Sequence, residues 1–136
     1  MAAGEILGIA HVAINVRDWP KTIWFYQDLL GFPLSDAIDM KMGFSLTYAA
    51  VPGGGRVELF RNEANLSDRS PKDEESIGFR HLAFEVWGLD SLRNSLVDAG
   101  VVLHLDVTEL PSLGLRVLLV EDPNGVMLEF AERQHS

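Results

Sequence analysis

The chain has 136 residues, 47% of them hydrophobic, which is enough for one domain, residues 1–136, with a continuous core. Its formal net charge of -9 leaves no basic face for nucleic acid or an anionic membrane, so we expect neither partner. The absence of cysteine excludes thiolate chemistry, and the N-terminal segment has no basic start or long apolar run, so we expect a cytoplasmic protein.

The first predicted strand is GIAHVAINV, residues 8–16. His11 and Asn15 share one face of this strand, and the other face is purely apolar. The apolar face should carry the next element, a helix that Asp18 would cap and Gly31 would end. Three short strands are predicted after it, at residues 32–38, 44–51 and 56–61. Residues 8–61 therefore read as a β-α-β-β-β module.

A charged segment, residues 62–77, separates this module from a second one and is predicted to be a linker. GFRHLAFEV is then a strand, and LDSLRNSLVDAG is a helix that Asp90 would cap and Gly100 would end. Three further strands are predicted in VVLHLDV, LRVLLVED and VMLEFAE, the last two joined by a DPNG turn. Residues 78–132 therefore repeat the first module.

The repeat predicts the fold class. HVAINV and HLAFEV align at an offset of 70 residues, and such internal similarity outweighs any local assignment. Two β-α-β-β-β modules predict an α+β protein, in which eight strands form a cup-shaped mixed sheet with the helices on its outer face.

Each module also supplies one histidine and one glutamate. His81 follows His11 by 70 positions, and Glu129 follows Glu58 by 71. Burying these groups without partners would cost several kcal/mol for each desolvated ion, which a divalent cation would offset. Two imidazoles and two carboxylates suit Zn, Ni, Co, Fe(II) or Mn better than Ca or Mg. We expect these four residues to hold one metal ion in the cup.

Simpler interpretations exist for each residue. A lone strand histidine is more often hydrogen-bonded in the core or at the surface, and either glutamate could instead pair with a nearby arginine such as Arg56 or Arg80. We predict that Asn15, Tyr48 and Arg56 bind the substrate, although a hydrogen bond at the rim would also account for Asn15 and core packing for Tyr48. The matched positions in the two modules favour the metal site.

The residues His11, Glu58, His81 and Glu129, with FYQDLLGF, RHLAFEV and EDPNGVMLEF, resemble the vicinal oxygen chelate superfamily. The resemblance covers residues 8–132. The superfamily includes glyoxalase I, extradiol dioxygenases, methylmalonyl-CoA epimerase, and fosfomycin and bleomycin resistance proteins. Membership implies that the metal binds two neighbouring oxygens of a substrate through these four ligands.

The ligand set is most similar to that of bacterial glyoxalase I. This implies a lyase or isomerase that acts on a small oxygenated substrate through a metal-stabilised enediolate, with Glu129 or Glu58 as the catalytic base. Nickel, cobalt or zinc would be the favoured metal, with iron or manganese as alternatives. Such glyoxalases commonly carry an arginine for the glutathione carboxylate where this chain has Asn15, which points to a smaller or less charged substrate.

Two other functions stay open. An Fe(II) extradiol dioxygenase would use His11, His81 and Glu129 as a triad that leaves room for a catechol and oxygen, and Glu58 would not be a ligand. A non-catalytic protein of the bleomycin-resistance type would bind a drug or metabolite in the cup, but such members usually lack the full ligand set.

We also expect a homodimer. An assembly of this size leaves sheet edges and apolar surface that a second copy would cover. The metal site could then be built within one chain or across the dimer.

Overall fold

A computed structural model describes residues 4–62, 64, 66–67 and 77–134. The predicted linker at 62–77 therefore lies largely outside the described residues. The chain divides into two compact units, Met1–Leu66 and Ser67–Ser136. In the part of the chain that the structure describes, no helix is long and apolar enough to cross a membrane.

The first unit contains the predicted β-α-β-β-β module. Its elements are β1 (Val12–Val16), α1 (Trp19–Ile23), a π-helical segment (Trp24–Leu29), β2 (Ile38–Asp39), β3 (Phe44–Ala50) and β4 (Arg56–Asn62). The sheet has the order β1-β4-β3-β2, with β1 parallel to β4 and the other pairs antiparallel. Because β1 and β4 are adjacent, the first and last strands of the module can bring their side chains together.

The first helical stretch, α1 with the π-helical segment that follows it, begins and ends where the sequence predicts. The Asp18 side chain accepts a hydrogen bond from the Lys21 backbone N–H at 3.1 Å, which satisfies a free donor of the first turn. The continuation after Ile23 is π-helical and buries Phe25 and Tyr26. Gly31 follows with a φ of 76°, a conformation in which a side chain would be strained.

The strand predicted at residues 32–38 is mostly wrong. Only Ile38–Asp39 forms a strand, and Leu34 makes an isolated bridge to Ala49. The reason is local, because Pro33 has no N–H to donate to a ladder. In addition, the Ser35 hydroxyl accepts the hydrogen bond from the Tyr48 backbone N–H at 2.9 Å, in place of a strand carbonyl.

The second unit repeats the module, so the predicted fold class is confirmed. Its elements are β5 (Leu82–Glu85), α2 (Leu89–Asp98), β6 (Leu103–Leu110), a 3-10 turn (Pro111–Leu113), β7 (Leu115–Glu121) and β8 (Met127–Arg133). The sheet has the order β5-β8-β7-β6, with β5 parallel to β8. The predicted DPNG turn is present, with the Gly125 N–H donating to the Asp122 carbonyl at 3.0 Å.

The predicted cap of α2 is wrong. The helix begins one residue earlier than Asp90, after Gly88, which has a φ of 74° and no side chain to act as a cap. Glu132 of β8 supplies the missing acceptor, since its carboxylate accepts a hydrogen bond from the Leu89 N–H at 2.8 Å. Asp90 lies in the first turn and pairs instead with Arg116 at 2.9 Å. The cap was not predictable from neighbouring residues because its acceptor comes from 43 positions away.

Each sheet buries the face that the sequence pattern makes apolar. Val57 and Leu59 of β4 are buried, as are Leu128 and Phe130 of β8. These residues flank Glu58 and Glu129, so strand alternation directs the two carboxylates to the other face of each sheet.

Candidate metal centre

His11 and Glu58 form a close pair in the first unit. His11 lies one residue before β1, and Glu58 is the third residue of β4. In the parallel register Ala13 is opposite Glu58, which brings the start of β1 near the carboxylate. The distance from His11 Nδ1 to Glu58 Oε2 is 3.0 Å, a hydrogen-bonding distance. The Glu58 side chain is 7% exposed and that of His11 is 42% exposed, so the pair reaches solvent through the imidazole.

His81 and Glu129 occupy the equivalent places in the second unit. His81 lies one residue before β5, Glu129 is the third residue of β8, and Ala83 is opposite Glu129. His81 Nε2 is 3.7 Å from Glu129 Oε2, too far for a hydrogen bond. The other ring nitrogen of His81, Nδ1, is buried and has no hydrogen-bond partner among the described residues. Buried polar atoms of this kind are rare and call for a partner such as an ion or water.

The predicted strand positions of the histidines need a small correction. His11 and His81 were expected within the first strands, and each lies immediately before its strand. Strand ends vary by one or two residues, so the alternation that predicts the facing of the side chains still applies. The predicted glutamates lie within their strands, as expected.

The donor types of the two pairs, imidazole nitrogens and carboxylate oxygens, are those that divalent transition metals bind. Imidazole nitrogens and carboxylate oxygens bind such ions at about 2.0 to 2.2 Å, so two of them at a right angle lie about 3 Å apart. The pair distances of 3.0 and 3.7 Å are compatible with shared ligation. No group of three or more His, Asp or Glu side chains that could hold a metal is present within the described ranges. The predicted ligands are therefore brought together as two pairs.

Tyr48 and Arg56, both predicted to bind substrate, contact each other beside Glu58. Tyr48 is directly opposite Glu58 in the antiparallel register of β3 and β4. The Arg56 guanidinium carbon lies 4.1 Å from the centre of the Tyr48 ring, a cation–π contact. Glu58 thus pairs with His11, and the alternative pair of Glu58 with Arg56 does not form.

Asn15, the third residue predicted to bind substrate, makes a side-chain hydrogen bond, the alternative that its sequence position also allowed. Its Oδ1 accepts a hydrogen bond from Asn62 Nδ2 at 3.4 Å. At the equivalent places of the second unit, Glu85 pairs with Arg133 at 3.2 Å. The repeat indicates that these two contacts are equivalent, because Arg133 follows Asn62 by the same 71 positions that separate the two glutamates.

Known proteins are similar to this chain over most of its length. The model of the Glyoxalase/Bleomycin resistance protein/Dioxygenase superfamily matches residues 8–130. A probable lactoylglutathione lyase of Synechocystis sp. is 27% identical over 124 residues, which is 91% of this chain and 94% of that protein. The crystal structure of a glyoxylase/bleomycin resistance protein/dioxygenase domain from Frankia sp. EAN1pec has a TM-score of 0.80 and 25% identity, over 97% of this chain and 96% of that one.

A shorter similarity is closer in sequence. The biphenyl-2,3-diol 1,2-dioxygenase of Paraburkholderia xenovorans is 51% identical over 43 residues, which is 32% of this chain. The matched stretch covers only 14% of that dioxygenase.

Proposed function

Because the chain belongs to the glyoxalase/bleomycin resistance protein/dioxygenase superfamily, we propose that it is a divalent-metal-dependent lyase or isomerase that acts on a small oxygenated substrate. The repeated pair of histidine and glutamate carries this proposal. In both units the histidine immediately before the first strand faces the glutamate at the third position of the last strand. Two copies of one such arrangement support a shared role, because each places a carboxylate next to an imidazole at the same positions of its unit.

We propose His11, Glu58, His81 and Glu129 as the ligands of one nickel, cobalt or zinc ion. The nitrogen of His81 that would bind the ion together with Glu129 is Nε2, which faces that carboxylate at 3.7 Å. Two carboxylates would balance the charge of a 2+ ion. When bound, the ion would supply the Lewis acidity that stabilises negative charge on substrate oxygens.

Glu129 is the better candidate for the catalytic base. Its carboxylate is 3.7 Å from His81 and its side chain is 17% exposed, whereas Glu58 is 3.0 Å from His11 and 7% exposed. A base must accept a proton from one carbon of the substrate and return it to the next. The looser carboxylate can move to do so, and the tighter one is held in place by its imidazole.

Metal content tests the proposed site directly. About one ion per site is expected in protein purified without chelators, measured by inductively coupled plasma mass spectrometry. His81→Ala should lose most of it, because it removes a ligand, whereas His104→Ala changes an exposed histidine of β6 and should keep it. If the unsubstituted protein neither contains nor takes up metal on titration, the proposed metal site is wrong, and a binding protein on the same fold becomes the favoured alternative.

Hydrogen exchange into a small hydroxycarbonyl compound tests the reaction. Nickel-loaded protein in D2O is expected to exchange the C–H protons of dihydroxyacetone faster than buffer with nickel, as followed by proton NMR. Glu129→Gln should remove the acceleration while Glu109→Gln, at an exposed position of β6, should retain it. Equal rates in the Glu129→Gln variant and the unsubstituted protein would rule out Glu129 as the base.

A second candidate function is Fe(II)-dependent cleavage of a catechol ring. The 51% identity over 43 residues with biphenyl-2,3-diol 1,2-dioxygenase favours it. His11, His81 and Glu129 would then be the ligands, and Glu58 would act only by orienting His11. Oxygen uptake by iron-loaded protein with biphenyl-2,3-diol is the measurement that would replace the lyase proposal with this one.

A further inference from the structure

We infer that Arg56, stacked on Tyr48, is an anion-binding subsite that selects substrates with a carboxylate group beside the oxygens bound by the metal. The inference rests on the proposed function, because it takes Glu58 as a metal ligand. It adds a substrate class, small acidic compounds, and a residue that determines specificity. Both side chains belong to the first unit, so their contact is internal to one sheet.

The register of β3 and β4 places Arg56 on the same face as Glu58. The two residues are separated by one position on β4, and side chains alternate along a strand. Tyr48 lies opposite Glu58, and its ring carries the guanidinium at 4.1 Å. The backbones of Arg56 and Glu58 are roughly 7 Å apart along the strand, the rise of two residues.

The contacts of Arg56 leave its charge available to a ligand. Arg93 and Arg133, by contrast, are neutralised by carboxylates, in pairs with Asp106 and Glu85. Arg56 is exposed and meets no carboxylate among the described residues, although the chain has a net charge of -9. In such an acidic chain an anion must be captured by a local cation, because the overall field repels it.

Stacking also prepares the guanidinium for a carboxylate. The guanidinium carbon lies over the Tyr48 ring, and the N–H donors of an arginine lie along the edge of its planar group. A carboxylate can accept two parallel hydrogen bonds from that edge, a stronger and more directional contact than a lysine would offer. The half-buried ring also restricts the long side chain, which reduces the entropy lost on binding.

Malate and 2-hydroxybutyrate are a matched pair of probes for this subsite. Both carry the same hydroxycarboxylate group, and malate has a second carboxylate where 2-hydroxybutyrate has a methyl group. Each probe is titrated by calorimetry into the full chain, once with nickel and once after treatment with EDTA. The dissociation constants are compared for the unsubstituted protein, Arg56→Gln, Arg56→Lys and Arg61→Gln.

The control arginine offers a similar contact on the other face. Arg61 also lies over an aromatic ring, with its guanidinium carbon 5.6 Å from the centre of the Trp19 ring. It is three positions from Glu58 on β4, so strand alternation places it on the opposite face of the sheet. A purely structural role for the cation–π contact of Arg56 would predict similar results for the two arginines.

The unsubstituted protein is expected to bind malate about tenfold more tightly than 2-hydroxybutyrate, the effect of one charge-assisted contact. Arg56→Gln should abolish the preference without weakening 2-hydroxybutyrate, Arg56→Lys should keep part of it, and Arg61→Gln should keep all of it. The inference is overturned if the unsubstituted protein shows no preference, if Arg56→Gln retains it, or if Arg61→Gln loses it equally.

The two metal conditions separate this inference from the proposed function. A malate preference that depends on Arg56 and persists after EDTA treatment supports the subsite even in a chain that binds no metal. Stoichiometric metal binding without any malate preference overturns the subsite and leaves the proposed function intact.

Discussion

At the scale of single residues, the two histidine–glutamate pairs are equivalent in sequence but differ in geometry. His11 uses Nδ1 towards Glu58 at 3.0 Å, whereas His81 uses Nε2 towards Glu129 at 3.7 Å. A histidine presents one nitrogen to a partner and keeps the other for a second group. The same two residue types therefore form a hydrogen-bonded pair in one unit and a wider pair in the other.

A double-mutant cycle separates the two proposed functions at Glu58. If Glu58 is itself a ligand, Glu58→Gln should weaken nickel binding by more than about tenfold both in the unsubstituted protein and in His11→Ala. If it acts only through His11, it should weaken binding by no more than about twofold once His11 is absent. Calorimetric titration of nickel into the four proteins gives the answer, and the second result would favour the three-ligand dioxygenase.

At the scale of elements, the start of α2 depends on a carboxylate from β8. The Leu89 N–H, and then that of Gly88, lower the pKa of Glu132 below its ordinary value of 4.5, and Arg116 adds to this effect while desolvation opposes it. The side-chain hydrogen bond from Arg116 likewise lowers the pKa of Asp90. Glu132 of β8 thus caps α2. Its partner Arg116, on β7, also pairs with Asp90 in the first turn of the helix, so α2 is connected to both strands.

This capping interaction predicts a pH dependence of stability. Because the folded pKa of Glu132 lies below the unfolded one, its contribution is fully present above about pH 4.5 and is lost as the pH falls through the folded pKa. Glu132→Gln should therefore lower Tm at pH 7 and flatten the decrease of Tm in acid, as measured by circular dichroism. Glu109→Gln, an exposed change on β6, should follow the unsubstituted protein. A Glu132→Gln profile parallel to that of the unsubstituted protein would contradict this role.

At the scale of the whole molecule, metal binding should be linked to folding. Each unit carries one of the two proposed ligand pairs on a four-stranded sheet, so a loss of either sheet would remove half of the proposed donors. An ion that binds the folded chain and not the unfolded one stabilises the folded chain in proportion to the logarithm of its concentration. Stability thus reports on the site without any knowledge of the substrate.

Metal removal should therefore lower the free energy of unfolding. With nickel at 100 times its dissociation constant, the unsubstituted protein should be about 2.7 kcal/mol more stable than in EDTA, as measured by urea denaturation. His104→Ala should show the same gain, and the double variant His81→Ala, Glu129→Gln should show almost none. A gain of similar size in the double variant would place the ion elsewhere in the chain.

The repeat is what the sequence by itself determined. Alternating apolar positions, a shared offset and the glycines after each helix predicted the module, the sheet faces and the four candidate ligands, because strand periodicity and turn chemistry are local properties. These signals also predicted Tyr48 and Arg56 as neighbours of the site, but not that the guanidinium would stack on the ring instead of pairing with Glu58.

Only the tertiary structure decided the contacts between distant parts of the chain. The cap of α2 comes from Glu132, Ser35 replaces a strand bond to Tyr48, and Asn62 reaches Asn15 across two parallel strands. The two histidines also turn different nitrogens to their glutamates. Each of these contacts depends on which backbone groups and side chains are adjacent once the sheets have formed. The spacing of residues along the sequence does not predict which of them will be adjacent. The local pattern fixes which face a residue occupies, and packing fixes its partner.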